Sequence, residues 1–376
     1  MNKNYNYDSI SAFIANTNSL LDYTKYLTPI NLREENERFI QAHAIGIEYN
    51  PIYRYEEYVN IDFDELKKEF FLYYNTLGES ALDNIFKRLL LEGIHSLDFY
   101  RYRGNSDQFS KYSKLAFDIP SESLINYSQK ILLEYKNNPY KADVTSMIYS
   151  GENLAECIIN ELKKYGYNWE VLVLKNLSTK VTVDPELRKV YINGSKKYSE
   201  IDLKRLIVHE VGTHIVRSEN GRKQPYPFFA SGLAGSLSTE EGLAVYSEYK
   251  SNLLEKDTFA MYAGRVIASS LCLTKSFFEI YSYLCNFLPN DVSLYITQRV
   301  KKGLIDTSEA GGFTKDYVYL DGFVKIRKFI ENGGDYEILY LGSVGLDDIP
   351  DLLKLVNNGI LSKDIVIPNF MGEKND

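Results

Sequence analysis

Apolar residues recur at helical spacing along most of the chain. In Ser80–Gly93 the positions Leu82, Ile85, Phe86, Leu89 and Leu90 line one face of a 3.6-residue period. The same period runs through residues 8–45, with polar interruptions, and through Asp62–Leu77. Pro120-Ser121 opens another helix toward Tyr135, which Asn137-Asn138-Pro139 ends. Gly151–Tyr165 follows, with Leu154, Cys157, Ile158 and Leu162 on one side. Beyond Trp169 the pattern shortens to β-branched runs at Glu170–Leu174, Lys180–Val183 and Val190–Ile192, with the turn signal Asp184-Pro185 between the last two. These runs predict a small antiparallel sheet. Ser199 then caps a helix, with Asp202 at the capping-box position. Further helices are expected from Glu241 to about Leu288, at Asp291–Lys302, at Tyr317–Glu331 and at Ile349–Asn357. The fold class is α+β and mostly helical, divided into a helical region 1–140 packed on a core domain 141–376.

Composition narrows the function classes. The 376 residues suffice for one large domain or two ordinary ones, and the net charge of −8 argues against nucleic acid. It also weighs mildly against a strongly acidic partner, although Lys301 and Lys302 offer a local basic patch. Cys157, Cys272 and Cys285 are widely spaced and form no CxxC, so buried free thiols are the reading. The N-terminal MNKNYNYDS has no apolar core segment, and the hydrophobic run Met261–Leu288 is broken by Arg265, Lys275 and Glu279. No secretory signal and no membrane span is expected, and the expected location is the cytoplasm. His43 and His95 read as surface or satisfied core residues.

The candidate chemistry lies in His209-Glu210-Val211-Gly212-Thr213-His214. A hydrolytic zinc needs three protein ligands and an open position for water, with a carboxylate nearby to take a proton. The motif is one residue longer than the usual HExxH. In a regular helix, positions five apart lie roughly 140° apart, so both imidazoles reach one ion only if a π-bulge restores the register. Gly212 is the position where the backbone yields most easily. A second stretch, Thr239-Glu240-Glu241-Gly242-Leu243-Ala244, reads as a helix start with Thr239 as N-cap. Its two acids fit either of two roles, partners of the helix dipole or metal ligands. Glu241 and Glu248 share an otherwise apolar face, which points to burial against something positive. The intervening loop, Ser218–Ser238, is rich in Pro, Gly and Ser and is expected to border a cleft.

HEVGTH and TEEGLA resemble the zinc peptidase family that includes the microtubule-associated tyrosine carboxypeptidases of animals and bacterial proteins named for a QEGLA motif. A third block matches as well: Arg299-Val300-Lys301-Lys302-Gly303-Leu304, Asp306-Thr307-Ser308, and Gly311-Gly312-Phe313-Thr314-Lys315-Asp316-Tyr317-Val318-Tyr319-Leu320-Asp321-Gly322. The three ordered blocks cover 209–322, and the likeness continues more weakly upstream to about residue 100. The resemblance implies a zincin-like core with the sheet beside the zinc helix, zinc on His209, His214 and Glu241, and Glu210 as general base and acid. Many bacterial members have Gln-Glu where this chain has Glu240-Glu241. The departure leaves the ligand in place and adds Glu240 as a partner to orient a histidine.

These parts specify attack of water on a polarised carbonyl. The resemblance implies removal of a C-terminal residue, with a peptide or protein C-terminus as the partner. Such an exopeptidase needs a cation for the terminal carboxylate. Arg299, Lys315, Arg217 and Arg222 are candidates, the first two favoured by their place in the third block. Tyr317 and Tyr319 suit either an oxyanion hydrogen bond or helix packing. An endopeptidase or amidase with the same centre stays open, as does a non-catalytic regulatory protein holding zinc. The intact Glu210 weighs against the latter, because a structural site needs no general base.

Overall fold

The computed structural model describes residues 6–21, 23–139, 146–175, 177 and 179–372. It is α+β and mostly helical, and the chain folds as two compact units, one of 1–140 with 256–321 and one of 141–255 with 322–376.

In the first unit, helix Ala81–Arg101 starts at a capping box in which Ser80 and Asp83 bond each other's backbone. It buries the stripe the sequence period marks, Leu82, Ile85, Phe86, Leu89 and Leu90. Residues 256–321, placed in the 141–376 region by the sequence reading, pack here, with helix Lys256–Leu271 along helix Glu122–Asn137. The expected long helical stretch to Leu288 is three helices, Ser236–Lys250, Lys256–Leu271 and Phe277–Leu284. The third sequence block lies in this unit as far as Asp321. Phe313 is fully buried, its ring 5.3 Å from Phe99 and 5.2 Å from Phe117. Lys301, half of the expected basic patch, is also buried, and its Nζ donates to the carbonyls of Glu309 and Gly311 at 2.6 and 3.0 Å.

The second unit carries the sheet, of strands β1 (Glu170–Leu174), β2 (Val181–Asp184) and β3 (Lys189–Asn193) in the order β1-β3-β2. The hairpin β2–β3 is antiparallel, as the Asp184-Pro185 turn demands, but β1 pairs with β3 in parallel. The sheet is therefore mixed, correcting the antiparallel expectation. The cause is that β3, with Val190 and Ile192 fully buried, takes the central position, so β1 lies beside the strand that runs its own way. Those two residues pack with Leu154, Ile158 and Leu162 and with Leu203, Leu206, Val211 and Ile215. The sheet and helix Gly151–Tyr165 thus fix the rod that carries HEVGTH.

That rod begins where expected, at the Ser199–Asp202 capping box, and runs as α-helix Glu200–Leu206, π-helix Ile207–Ile215 and α-helix Val216–Arg222. The expected loop 218–238 is mostly structured: the rod reaches Arg222, a short helix spans Phe228–Ser231, and the next helix starts at Ser236. Gly235, in the left-handed region, precedes that helix. Thr239 is consequently not the N-cap; it sits inside the helix, and its Oγ1 accepts the amide of Leu346 at 2.9 Å. Glu240 and Glu241 lie beyond the first turn, which removes the reading of them as dipole partners.

Gly242 of the EEGLA stretch has a packing reason. A Cβ there would lie 2.1 Å from the carbonyl carbon of Gly322, and one at Gly322 would lie 1.8 Å from the carbonyl oxygen of Ser238. Two backbones meet here with no room for a methyl. Gly242→Ala is expected to lower the unfolding free energy by about 1–3 kcal/mol, because backbone cannot yield as a side-chain tip can. A urea midpoint equal to that of the unchanged chain would contradict the close crossing.

Candidate metal centre

The π-helix supplies what the six-residue motif lacks. Each π hydrogen bond spans five residues where an α one spans four, so His209 and His214 return to the same side of the rod. Their rings stand 5.1 Å apart between centroids at 66°. Thr213 Oγ1 donates to the Val208 carbonyl five residues back at 3.3 Å, helping to satisfy the widened ladder. Gly212 lies inside the π-helix and also has a packing reason: a Cβ there would lie 2.5 Å from the ring of Phe370, and its carbonyl accepts from Tyr340 Oη at 3.4 Å.

From the neighbouring helix Ser236–Lys250, Glu241 turns its carboxylate toward both rings. Its Oε2 is 3.8 Å from His209 Nε2 and 3.9 Å from His214 Nε2. Glu210, buried beside them, has a carboxylate oxygen in a group with His209 and His214 donor atoms that spans no more than 4.8 Å. Each imidazole is fixed through its other nitrogen. His209 Nδ1 meets Glu248 Oε1 at 2.7 Å, and His214 Nδ1 meets Glu240 Oε1 at 2.7 Å. A carboxylate only accepts, so both Nδ1 atoms donate and both Nε2 atoms present lone pairs toward Glu241 in the neutral tautomer.

Behind each acid stands a buried arginine. Arg205 Nη1 donates to Glu248 Oε1 at 2.9 Å and is itself held by Asp202, which Lys180 Nζ contacts at 2.7 Å. Arg217 is wholly buried and binds Glu240 through Nη1. Its Nε and Nη2 donate to the carbonyls of Leu339 and Val344 at 2.8 and 2.6 Å. Burial would raise the Glu240 and Glu248 carboxyls, but Arg217 together with His214 outweighs it at the first and Arg205 together with His209 at the second, so both lie below their ordinary value. The positive partner that the Glu241–Glu248 face called for is Arg205, a residue the sequence reading missed. Its signal was its place, one turn before His209 on the same rod. Glu240 lies against His214.

This donor set fits a tetrahedral metal. Donors around zinc lie about 3.3 Å apart for bonds of about 2.0–2.1 Å. The two edges to Glu241 are somewhat wider, and three acceptor atoms facing one another call for a cation between them. Burial would lower the His214 imidazole, but the Glu240 hydrogen bond, with the charges of Glu240, Glu241 and Glu210, outweighs it and raises the group to about 9. In metal-free protein that imidazolium stabilises the fold fully below pH 6.5, and the stabilisation is lost as the pH rises from 6.5 to about 9. Metal must displace the same proton, so apparent zinc affinity is expected to rise with pH across that window by about tenfold per unit. Thermal melts of metal-free protein and chelator competition from pH 6 to 9 check both; a flat affinity would contradict the assignment.

The favoured substrate cations have local partners in the first unit. Arg299 holds Asp316 with two hydrogen bonds, one of them 2.8 Å from Nη2, and donates to Tyr295 Oη at 3.2 Å. Tyr317 Oη donates to the Phe117 carbonyl at 2.8 Å. The ring of Tyr319 stacks on Tyr262 at 5.2 Å, and Lys315 is half-buried next to Asp316. Arg222 binds the Pro185 carbonyl and Glu219, while Arg217 is occupied by Glu240.

A family model for the microtubule-associated tyrosine carboxypeptidases matches residues 37–375, and the chain belongs to that family. A mouse protein named microtubule-associated tyrosine carboxypeptidase 1 is 24% identical over 355 residues, 92% of this chain and 64% of the relative. A mouse putative tyrosine carboxypeptidase, MATCAP2, is 32% identical over 176 residues, 45% of this chain and 32% of the relative. The human microtubule-associated tyrosine carboxypeptidase 1 is 31% identical over 188 residues, 48% of this chain and 38% of the relative. The chain thus spans between about a third and two thirds of the length of these relatives.

Proposed function

We propose that this chain is a zinc-dependent metallocarboxypeptidase with a zincin-like centre, acting on the C-terminus of a peptide or protein. The observation that carries the reading is the meeting of His209, His214 and Glu241, with each imidazole locked by its own carboxylate. His209, His214 and Glu241 would hold the metal. When bound, zinc would supply Lewis acidity, polarising a scissile carbonyl and acidifying water. Glu210 takes the proton from the attacking water and returns it to the leaving amine, its position set by the π-helix. Glu248 and Glu240 keep the Nδ1 protons in place, so each Nε2 lone pair stays available. Removal of one C-terminal residue follows from kinship with proteins named as tyrosine carboxypeptidases.

The microtubule in those names belongs to the relatives, and the net charge of −8 disfavours an acidic tubulin tail here. No helix among the described residues is long and apolar enough to cross a membrane. Digestion of a peptide library by zinc-loaded protein, each peptide also made as its C-terminal amide, is the test. Loss of the last residue from free-acid peptides alone supports the proposal. Internal cleavage that ignores amidation would instead establish an endopeptidase or amidase.

A further inference from the structure

A line of alternating charges leads from the surface of the second unit to His209. Lys180 Nζ lies 2.7 Å from Asp202 Oδ1, and Arg205 Nη2 lies 3.4 Å from the same oxygen. Arg205 Nη1 donates to Glu248 Oε1 at 2.9 Å, and that oxygen also accepts His209 Nδ1 at 2.7 Å. Burial is graded along the line: the Lys180 side chain is 40% exposed, those of Asp202 and Arg205 are 7% and 9% exposed, and Glu248 is wholly buried. Asp202 divides its carboxylate. Its Oδ2 closes the capping box with the Ser199 amide at 3.2 Å, while Oδ1 faces the two cations. The cap therefore makes no demand for Lys180.

The backbone of Lys180 is held for this contact. Its carbonyl accepts the Asn193 amide at 3.0 Å and Tyr198 Oη at 3.2 Å. Asn193 Nδ2 also donates to the carbonyls of Leu177 and Thr179, at 2.7 and 3.3 Å. Burial would raise the Asp202 carboxyl, but Lys180, with Arg205 and the Ser199 amide, outweighs it and holds the group below its ordinary value. The two sides of the centre differ here. Arg217 spends Nε and Nη2 on backbone carbonyls and binds one acid, Glu240. Arg205 divides its terminal nitrogens between two buried acids. With Lys180 in place, two cations face two carboxylates. Without it, Asp202 would compete with Glu248 for the single guanidinium, because a buried charge that loses its partner must find another.

We propose that Lys180 is a positioning residue for the metal centre: by satisfying Asp202 it leaves Arg205 on Glu248, which holds His209 with Nε2 turned toward Glu241. The inference rests on the zinc reading above. Its reach is one-sided, because His214 is locked by Glu240 and Arg217, which take no part in the line. Outer partners of a metal-binding imidazole set its angle, so a cation two contacts behind Glu248 acts on affinity through that carboxylate.

The test measures zinc affinity of the full chain by chelator competition for Lys180→Met, Lys180→Arg, and Lys180→Met combined with Asp202→Asn. Lys180→Met is expected to weaken zinc about tenfold, the low end for a lost outer partner, and Lys180→Arg to retain the affinity. The double variant is expected to return to within about threefold of the unchanged chain, because the competing acid has gone with the lysine. Asparagine keeps an acceptor for the Ser199 amide. A merely structural lysine gives the opposite order, since the double variant removes a second charged group. Unchanged affinity in Lys180→Met overturns the proposal, and so does a double variant as weak as Lys180→Met alone. Should Lys180→Met not fold, a folded double variant of near-unchanged affinity supports the same competition, and an unfolded one overturns it. Lys180-dependent zinc uptake by a chain that cleaves no peptide removes the peptidase reading and leaves this one standing. Cleavage with affinity indifferent to Lys180 removes this one alone, and a chain that takes up no zinc removes both.

Discussion

Glu210→Gln is expected to leave the proposed zinc in place and to lower kcat by about 10²–10⁴-fold, the range of a lost general base. The physical ground is the division of labour on the π-helix. His209, His214 and Glu241 present converging donor atoms, each imidazole with its second nitrogen already committed. Glutamine at 210 keeps the size of the side chain and removes its basicity. His209→Ala and Glu241→Ala delete a donor, so both are expected to lose metal to a weak chelator as well as activity. Zinc content by atomic absorption, with kcat measured on the same samples, separates the roles. Equal metal loss in all three variants would sink them.

Arg217→Met is the second large effect, and it lies outside the proposed ligands. Glu240 would remain buried against His214 with its main cation gone. Removing one partner of a buried pair costs about 3–5 kcal/mol, most of it the stranded charge. Zinc affinity should fall as well, by about 10–100-fold, because the acid no longer holds the imidazole at a fixed angle. Urea unfolding of metal-free protein and chelator competition read the two effects separately. Adding Glu240→Gln to Arg217→Met removes the stranded charge and should restore part of the stability, a coupling that only contacting groups show. A loss within about 0.5 kcal/mol for Arg217→Met would contradict the clamp.

The local chemistry of this fold was legible in the sequence, and its long-range pairings were not. The stripe of helix Ala81–Arg101, the Ser199–Asp202 box and the demand for a π turn all depend on neighbours within a few residues, and all three are present. The start of helix Ser236–Lys250 departs from the expected one, because Thr239, a good cap by type, gives its hydroxyl to the distant Leu346 amide instead. The parallel pairing of β1 with β3 is a choice among registers that β-branched runs cannot encode. The convergence of His209, His214 and Glu241 was expected from the motifs. The clamp on Arg217 was not, since Leu339 and Val344, which hold it, offer only backbone carbonyls and leave no trace in residue type.

Those two carbonyls also impose an order on biosynthesis. The acceptors that orient Arg217 are translated more than a hundred residues after His214. A nascent chain stalled before residue 339 can assemble the Glu248 half of the centre, whereas the Glu240 half waits for the C-terminal segment to emerge. Metal captured before that segment emerges would sit on ligands only half secured.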